Sequence, residues 1–324
     1  MLRAGVGVQL RDVFGFGEQL SARLQAGQAG GLVSGSLSGL LPVGGQGWKL
    51  GASVSHLTYE LAGSFRALGA WGKADSAGLE LQYAALRSAS ANVALRAAWE
   101  SRRLTDEIQF QPERSRHKRN EVFTFGVTAD RRDDWGGGGS TLAAFTVTAG
   151  DLRLLDDAAA AADAASLGTA RHYRKLLGQV GRQQALAGPV NAYVRLLGQA
   201  TGGNLDSVEK LSLGGAYGVR AYAPGEAAVD QGGLATVELR WQLDYLGGGV
   251  TLSLFHDRGE GLVNRQPLSL AGNYAKLYGS GLGLAWSRGD WSLSTSLAWR
   301  GGREPQADGG DPRPRLYFQL SASP

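Results

Sequence analysis

Few residues in this chain have the type and spacing to do chemistry, and most of those are charges rather than nucleophiles. One cation, Arg220, stands between Val219 and the small Ala221 in the stretch LSLGGAYGVRAYAPGEAAVDQGGLATVELR, residues 211–240. Gly214, Gly215 and Gly225 lie close by and permit near approach of backbone. Tyr222 and Glu226 complete the group. Arg220 reads either as a solvated loop charge or as an anchor. Glu238, Arg240 and Asp244 follow at even spacing, so they crowd one face of a single strand. Charge gathered on one face suits a water-filled lumen. The four histidines, His56, His117, His172 and His256, have no metal-like spacing such as HExxH. His256 adjoins Asp257 as a catalytic pair would, but neighbouring strand residues face opposite ways. That argues against a hydrolase with its residues at a barrel rim. Strings like GxGxxG arise by chance among 50 glycines, and none opens a strand-to-helix step. Cysteine is absent, which excludes thiolate metal sites and disulfides. No catalytic residue, metal or cofactor is expected.

The elements that must carry these charges read as long strands. In residues 78–86, Leu79, Leu81, Tyr83 and Ala85 share one face, with Glu80 and Gln82 on the other. Residues 93–102, 122–130 and 141–150 repeat the pattern. Its clearest case is 235–245, where Ala235, Val237, Leu239, Trp241, Leu243 and Tyr245 oppose Thr236, Glu238, Arg240, Gln242 and Asp244. Alternation puts an apolar and a polar face on each such strand. Many segments approach the 9–11 residues of a tilted transmembrane strand. Trp48, Trp99, Trp135, Tyr245, Trp291 and Trp299 fall at strand ends, where interfacial girdles sit. Near Ser55 the alternation is imperfect and admits a bulge.

Connections alternate in length. Residues 88–91, 136–139, 187–190, 246–249 and 289–290 are short. Between them lie long polar stretches: 109–120, the alanine-rich segment after Asp156, 204–232, 258–273 and 301–314. Short periplasmic turns and long external loops are the habit of outer-membrane barrels. Residues 156–168, DDAAAAADAASLG, admit a helix with aspartates capping its start and Gly168 at its end, or a low-complexity loop. No run of about 18 apolar residues exists, so helical spans are excluded. Mean hydropathy is −0.17, as expected when only alternate residues face lipid. Net charge is +4, but no basic cluster interleaves with aromatics, which argues against nucleic acid. The count is fifteen candidate strands, starting outside and running inward. A closed barrel has even strand number, which predicts one strand before Met1. No signal-peptide pattern opens the chain, so a leader is expected to be missing too.

The residues 211–240 resemble the loop that carries the VRGY/F signature of outer-membrane translocators in two-partner secretion, the TpsB family of the hemolysin secretion/activation type. LSLFHDRG, ending at Gly259, is similar to that family's second motif, in which an inward-facing aspartate closely precedes a glycine. GVGVQLRDVFGFGEQLSARL resembles its second strand, first periplasmic turn and third strand. The resemblance implies an all-β fold: a transmembrane antiparallel β-barrel of the sixteen-strand type, with about fifteen strands in residues 1–324. It implies that residues 204–232 are the external loop that folds back into the lumen. Arg220 would be the signature arginine and Asp257, which shares its polar face with Thr251 and Ser253, its lumen partner. Glu226 would support the loop turn. The family carries two POTRA domains and a plug helix ahead of the barrel, and these are not in this sequence. Ala221 stands where the family has glycine, so the backbone there must avoid glycine-only geometry. Phe318 is the nearest residue to the family's terminal aromatic.

The implied function is passage of a large unfolded exoprotein of hemolysin or adhesin type to the surface of a Gram-negative bacterium. Implied partners are that exoprotein, the lipid bilayer with its lipopolysaccharide, and the barrel-assembly machinery during biogenesis. A barrel-assembly insertase and a passive porin are the alternatives.

Overall fold

A computed structural model describes residues 3–28, 31–60, 69–110, 115–245, 248–302 and 314–323. Among them the strands are β1 (Arg3–Arg11), β2 (Gln19–Gly27), β3 (Leu32–Val43), β4 (Trp48–Glu60), β5 (Ala70–Arg87), β6 (Ala91–Ile108), β7 (Arg116–Asp133) and β8 (Gly139–Leu154). After helix α1 (Asp157–Ala164) come β9 (His172–Ala187), β10 (Val190–Thr201), β11 (Leu211–Ser212), β12 (Ala228–Val229), β13 (Gln231–Tyr245), β14 (Gly248–Leu262), β15 (Tyr274–Arg288), β16 (Trp291–Arg300) and β17 (Arg315–Ala322). Fifteen of these form one sheet in chain order, with β10 paired to β13, while β11 and β12 form a separate ribbon. The strand count agrees with the sequence reading. Most strands are longer than their alternating cores suggested, because polar residues extend them at the loop end: β5, β6 and β7 each have 18 residues. The expected turn at 246–249 and loop at 301–314 fall partly outside the described residues, as does part of 109–120.

The chain divides into two compact units. The first comprises Met1–Ser88, Asn92–Thr128 and Thr146–Leu176. Its apolar face carries Leu79, Leu81, Phe123 and Phe125, all exposed as lipid-facing residues must be. Trp48 stacks on its strand partner Tyr83 with centroids 4.4 Å apart, at the short-turn end. No bulge occurs at Ser55, whose register with Ser76 is unbroken and whose hydroxyl lies 2.8 Å from that of Ser76. The alternation there was blurred by Leu57 and Tyr59, which stand on the polar face. The irregularity instead falls between Ala84 and Leu86 in β5. Trp99 is in the middle of β6, not at its end, because β6 continues to Ile108. It still marks a boundary, since the residues beyond it on its face are Ser101, Arg103, Thr105 and Glu107. The alanine-rich segment is a helix, α1, but Asp156 makes no side-chain cap to it. Its carboxylate accepts from the His117 backbone N–H at 3.1 Å and lies 3.0 Å from His117 Nδ1. The His117 ring holds the Asp156 carboxyl below its ordinary pKa.

The second unit comprises Ala89–Ala91, Ala129–Phe145 and Leu177–Pro324. The register of β13, β14 and β15 sets its faces. Thr236, Glu238 and Arg240 pair with Asp257, Phe255 and Ser253, so all six share the polar face. Val237, Leu254 and Leu282 take the other. His256 is on that opposite face, 2.9 Å from the Ser280 hydroxyl, and thus turned away from Asp257. Leu254→Arg, on the exposed apolar face, should lower stability by about 2–4 kcal/mol, the cost of a cation near the bilayer midplane. Ser294→Arg, on the polar face, should cost less than about 1 kcal/mol. Equilibrium unfolding from lipid vesicles checks both; equal costs would mean the two faces are not distinguished by lipid.

Candidate functional site

The second unit buries an apolar cluster on what is otherwise its polar face. Leu213, Val219, Ala221, Tyr222, Ala227 and Val229 come from the segment between β10 and β13; Phe255, Ala275, Leu277 and Ala298 come from β14, β15 and β16. The segment holds its own shape. Leu211 and Ser212 pair with Val229 and Ala228 as the β11–β12 ribbon. Within it the Leu213 N–H donates to Ala227 O at 2.8 Å, Val219 N–H to Leu213 O at 2.8 Å, and Gly215 N–H to Tyr222 O at 3.0 Å. Gly215, at φ +111°, and Gly225, at φ +83°, occupy backbone that other residues avoid. The result is a compact tip with Val219 and Tyr222 fully buried and Tyr217 exposed.

At this tip Arg220 meets Asp257. Its Nε donates to Asp257 Oδ2 and its Nη2 to Oδ1, both at 2.8 Å, and its backbone N–H reaches Oδ2 at 3.1 Å. Thr236 Oγ1 donates to Asp257 Oδ1 at 2.9 Å. The Arg220 guanidinium also pairs with Glu238 Oε1 at 2.8 Å, and the other Glu238 oxygen takes Arg240 Nη2 at 2.7 Å. Two carboxylates and two guanidinium groups thus alternate in one row. Phe255 lies under Arg220, 3.4 Å from ring centroid to Cζ, and Tyr193 lies against Arg240 at 4.0 Å. Asp257 is 1% exposed and Arg220 14%. Burial opposes the charge on Arg220, yet the carboxylates of Asp257 and Glu238 outweigh it and raise its pKa above the ordinary arginine value. A bidentate fork in a water-poor site is the strong form of an ion pair.

The strands make room for the tip by leaving out side chains. A Cβ on Gly259 would lie 2.7 Å from Leu234 Cδ2 and 3.2 Å from Val219 Cγ2. One on Gly279 would run into the Ala221 methyl and lie 2.7 Å from Trp299 O. Ala221 is not among the positive-φ residues, so its methyl brings no backbone strain, and it occupies the notch at Gly279. Gly214 admits the Ala223 carbonyl in the same way, and Glu226 is buried beside it. Asp244 pairs with Gly249 in the strand register, but its side chain lies outside the described ones.

Sequence reasoning missed two parts of the site. One is Phe255 with the glycines at 279 and 281, beside the Gly259 that the motif had marked. Even spacing in LSLFHDRG and YGSGLG placed them all on the polar face, and an aromatic among serines and threonines there was the available signal. The other is the root of the loop. Asp230, fully buried, accepts from the N–H groups of Leu205 at 3.1 Å and Arg265 at 2.8 Å, and pairs with Lys210 at 3.3 Å. Asn204 exchanges hydrogen bonds with the Gln266 backbone at 2.7 and 2.8 Å. Polar loop residues give no sequence signal of such pairing.

Gly279→Ala should destabilise the protein by about 1–3 kcal/mol, the usual cost of overpacking. In an Ala221→Gly background the loss should shrink without vanishing, because the clash with Trp299 O remains. Equilibrium unfolding of the four proteins checks this; identical losses in both backgrounds would show that the two positions do not meet.

The family described as haemolysin secretion/activation protein ShlB/FhaC/HecB matches residues 1–286. The heme/hemopexin transporter protein HuxB of Haemophilus influenzae (strain 86-028NP) is 25% identical over 303 residues, 91% of this chain and 53% of HuxB. The chain therefore spans about half the length of the curated relatives it matches. Among solved structures, CdiB from Escherichia coli superposes with a TM-score of 0.78 at 18% identity, covering 99% of this chain and 59% of CdiB. CdiB from Acinetobacter baumannii gives 0.70 at 15%, covering 99% and 56%. BamA from Haemophilus ducreyi lacking POTRA domains 1–3 gives 0.66 at 13%, covering 99% and 66%. These likenesses establish the fold as the antiparallel transmembrane β-barrel of the outer membrane. No described helix is long and apolar enough to cross a membrane. With a family match over most of its length, this chain belongs to the haemolysin secretion/activation family ShlB/FhaC/HecB.

Proposed function

We propose that this chain is the translocating portion of a two-partner secretion system, a conduit rather than an enzyme. It passes one large, unfolded exoprotein of hemolysin or adhesin type from periplasm to cell surface, without nucleotide at the outer membrane. Residues 1–324 are the barrel, and residues 204–232 are a loop folded onto its polar inner face. The observation that carries this reading is the loop tip locked by Arg220 to Asp257 in a chain of this family. A passive porin has no need of such a lock. HuxB is named for heme and hemopexin, so a carrier protein of that kind is one candidate for the exported partner. Lipid with its lipopolysaccharide surrounds the apolar face, and the barrel-assembly machinery handles insertion.

In this mechanism the docked tip fixes the bore and chemical lining of the pore. The threading chain slides past a face lined largely by polar and paired charged groups. Folding outside biases movement outward. Glu238 and Arg240 keep each other and Arg220 in place, so the lumen near the tip presents neutralised charge.

Arg220→Ala in the complete protein should cut exoprotein secretion about tenfold or more, the factor that 1.4 kcal/mol of lost anchoring carries. Barrel levels at the outer membrane should stay normal. Immunoblots of culture supernatant and membrane fraction check this. Normal secretion at normal barrel level would contradict the role of Arg220. A general loss of other outer-membrane proteins would point to the insertase function of the BamA-like fold instead.

A further inference from the structure

Above the apolar band of the first unit, toward the long loops, the lipid-facing side of the sheet turns from apolar to charged. Arg103 on β6, Arg119 on β7, Arg153 on β8 and Arg174 on β9 are all exposed there. Register and contacts place them on the apolar side. Arg103 pairs across the sheet with Asp75, four residues from Leu79, which pairs with Trp99. Arg119 lies two residues from Glu121, whose carboxylate accepts from Trp99 Nε1 at 3.1 Å. Arg153 shares Asp151 with His172, two residues before Arg174. Two of the carboxylates lie beneath their guanidinium groups: Glu121 and Asp151 side chains are 25% and 21% exposed, against 51% and 71% for Arg119 and Arg153, while Asp75, opposite Arg103, is bonded to His56. Arg119 uses its Nε on Glu121 at 2.8 Å, and among the described residues its terminal nitrogens have no partner. Arg103 has no ionic partner among them either. Glu121 and Asp151 therefore orient the forks of Arg119 and Arg153, which stand outside them.

Directly below is an apolar depression lined by Leu79, Leu81, Trp99, Phe123, Phe125 and Val147. A ligand matching both parts has acyl chains and anionic groups at its head. Arginine forks favour phosphate, which they bind bidentately. Cations cost little at the interface but much at the midplane, so their placement just past the aromatic boundary suits a headgroup contact. We propose that β6–β9 form a binding site for phosphorylated glycolipid of the outer leaflet, lipopolysaccharide, with its phosphates on Arg103, Arg119, Arg153 and Arg174. The site rests on the outer-membrane location of the fold and not on translocation, so it stands or falls apart from the secretion reading.

The test uses the complete protein, purified in detergent and stripped of lipid. Bisphosphorylated lipid A, the same glycolipid with its phosphates removed, phosphatidylglycerol and inorganic phosphate are each titrated by calorimetry. The bisphosphorylated glycolipid should bind at least about tenfold more tightly than its dephosphorylated form, as charge-assisted pairs require. The quadruple variant R103Q/R119Q/R153Q/R174Q should lose that preference, with heat-modifiable migration confirming a folded barrel. If it does not fold, the pairs R103Q/R119Q and R153Q/R174Q should each weaken binding severalfold. Equal binding of the dephosphorylated glycolipid would overturn the proposal, as would unchanged affinity in the folded variants. Equal competition by phosphatidylglycerol would replace the glycolipid with any acidic lipid, and competition by inorganic phosphate would remove the lipid altogether.

Discussion

The buried row Asp257–Arg220–Glu238–Arg240 is the constraint from which the rest of the second unit follows. An unpaired buried charge costs several kcal/mol, and removing one member of a buried pair costs about 3–5 kcal/mol. Each charge here is flanked by an opposite one, and Thr236 and the Arg220 backbone N–H take further lone pairs of Asp257. The fork can form only if the loop tip reaches the sheet, and it reaches the sheet only where side chains are missing. That explains Gly259 and Gly279, and it explains why Val219 and Ala221, the neighbours of the arginine, are small or β-branched residues buried on either side of it. Lysine could not replace the arginine, since a single ammonium offers neither the bidentate geometry nor the flat face that Phe255 receives.

Much of the fold was legible because period-two alternation is a direct record of a sheet with lipid on one side and water on the other. The segment 235–245 shows it without interruption, and its strand, β13, is where the sequence put it. Strand ends were less legible. β6 runs past Trp99 because a strand that leaves the bilayer no longer needs an apolar face, so the pattern that reveals it stops before the strand does. The loop site was legible through two short motifs, but their contact joins residues 37 positions apart and no spacing rule predicts it. Phe255 and the glycine notches could have been read from parity. Asp230 and Asn204 could not, because most of their partners are backbone groups, at Leu205, Arg265 and Gln266.

The two faces of the sheet carry separate tasks with opposite chemistry. On the polar face of the second unit Asp257, Arg220, Glu238 and Arg240 are paired and partly buried, which leaves their charge neutralised. On the apolar face of the first unit, Arg103, Arg119, Arg153 and Arg174 stand beyond Trp99 and are exposed. His256 and Asp257 show the separation within one dipeptide: the first bonds Ser280 on the lipid side, and the second holds the loop.

The direct measurement of the central claim is a double-mutant cycle on Arg220 and Asp257, read by amide hydrogen exchange of the loop. The N–H groups of Leu213, Val219 and Tyr222 bond within the docked tip and report its opening. Arg220→Ala, Asp257→Ala and the double variant are compared with the parent. If the pair anchors the loop, the opening free energies should be coupled by at least about 1.5 kcal/mol, in the range of close charge pairs. Additive effects, or loop amides that exchange as fast in the parent as in the variants, would contradict the anchor.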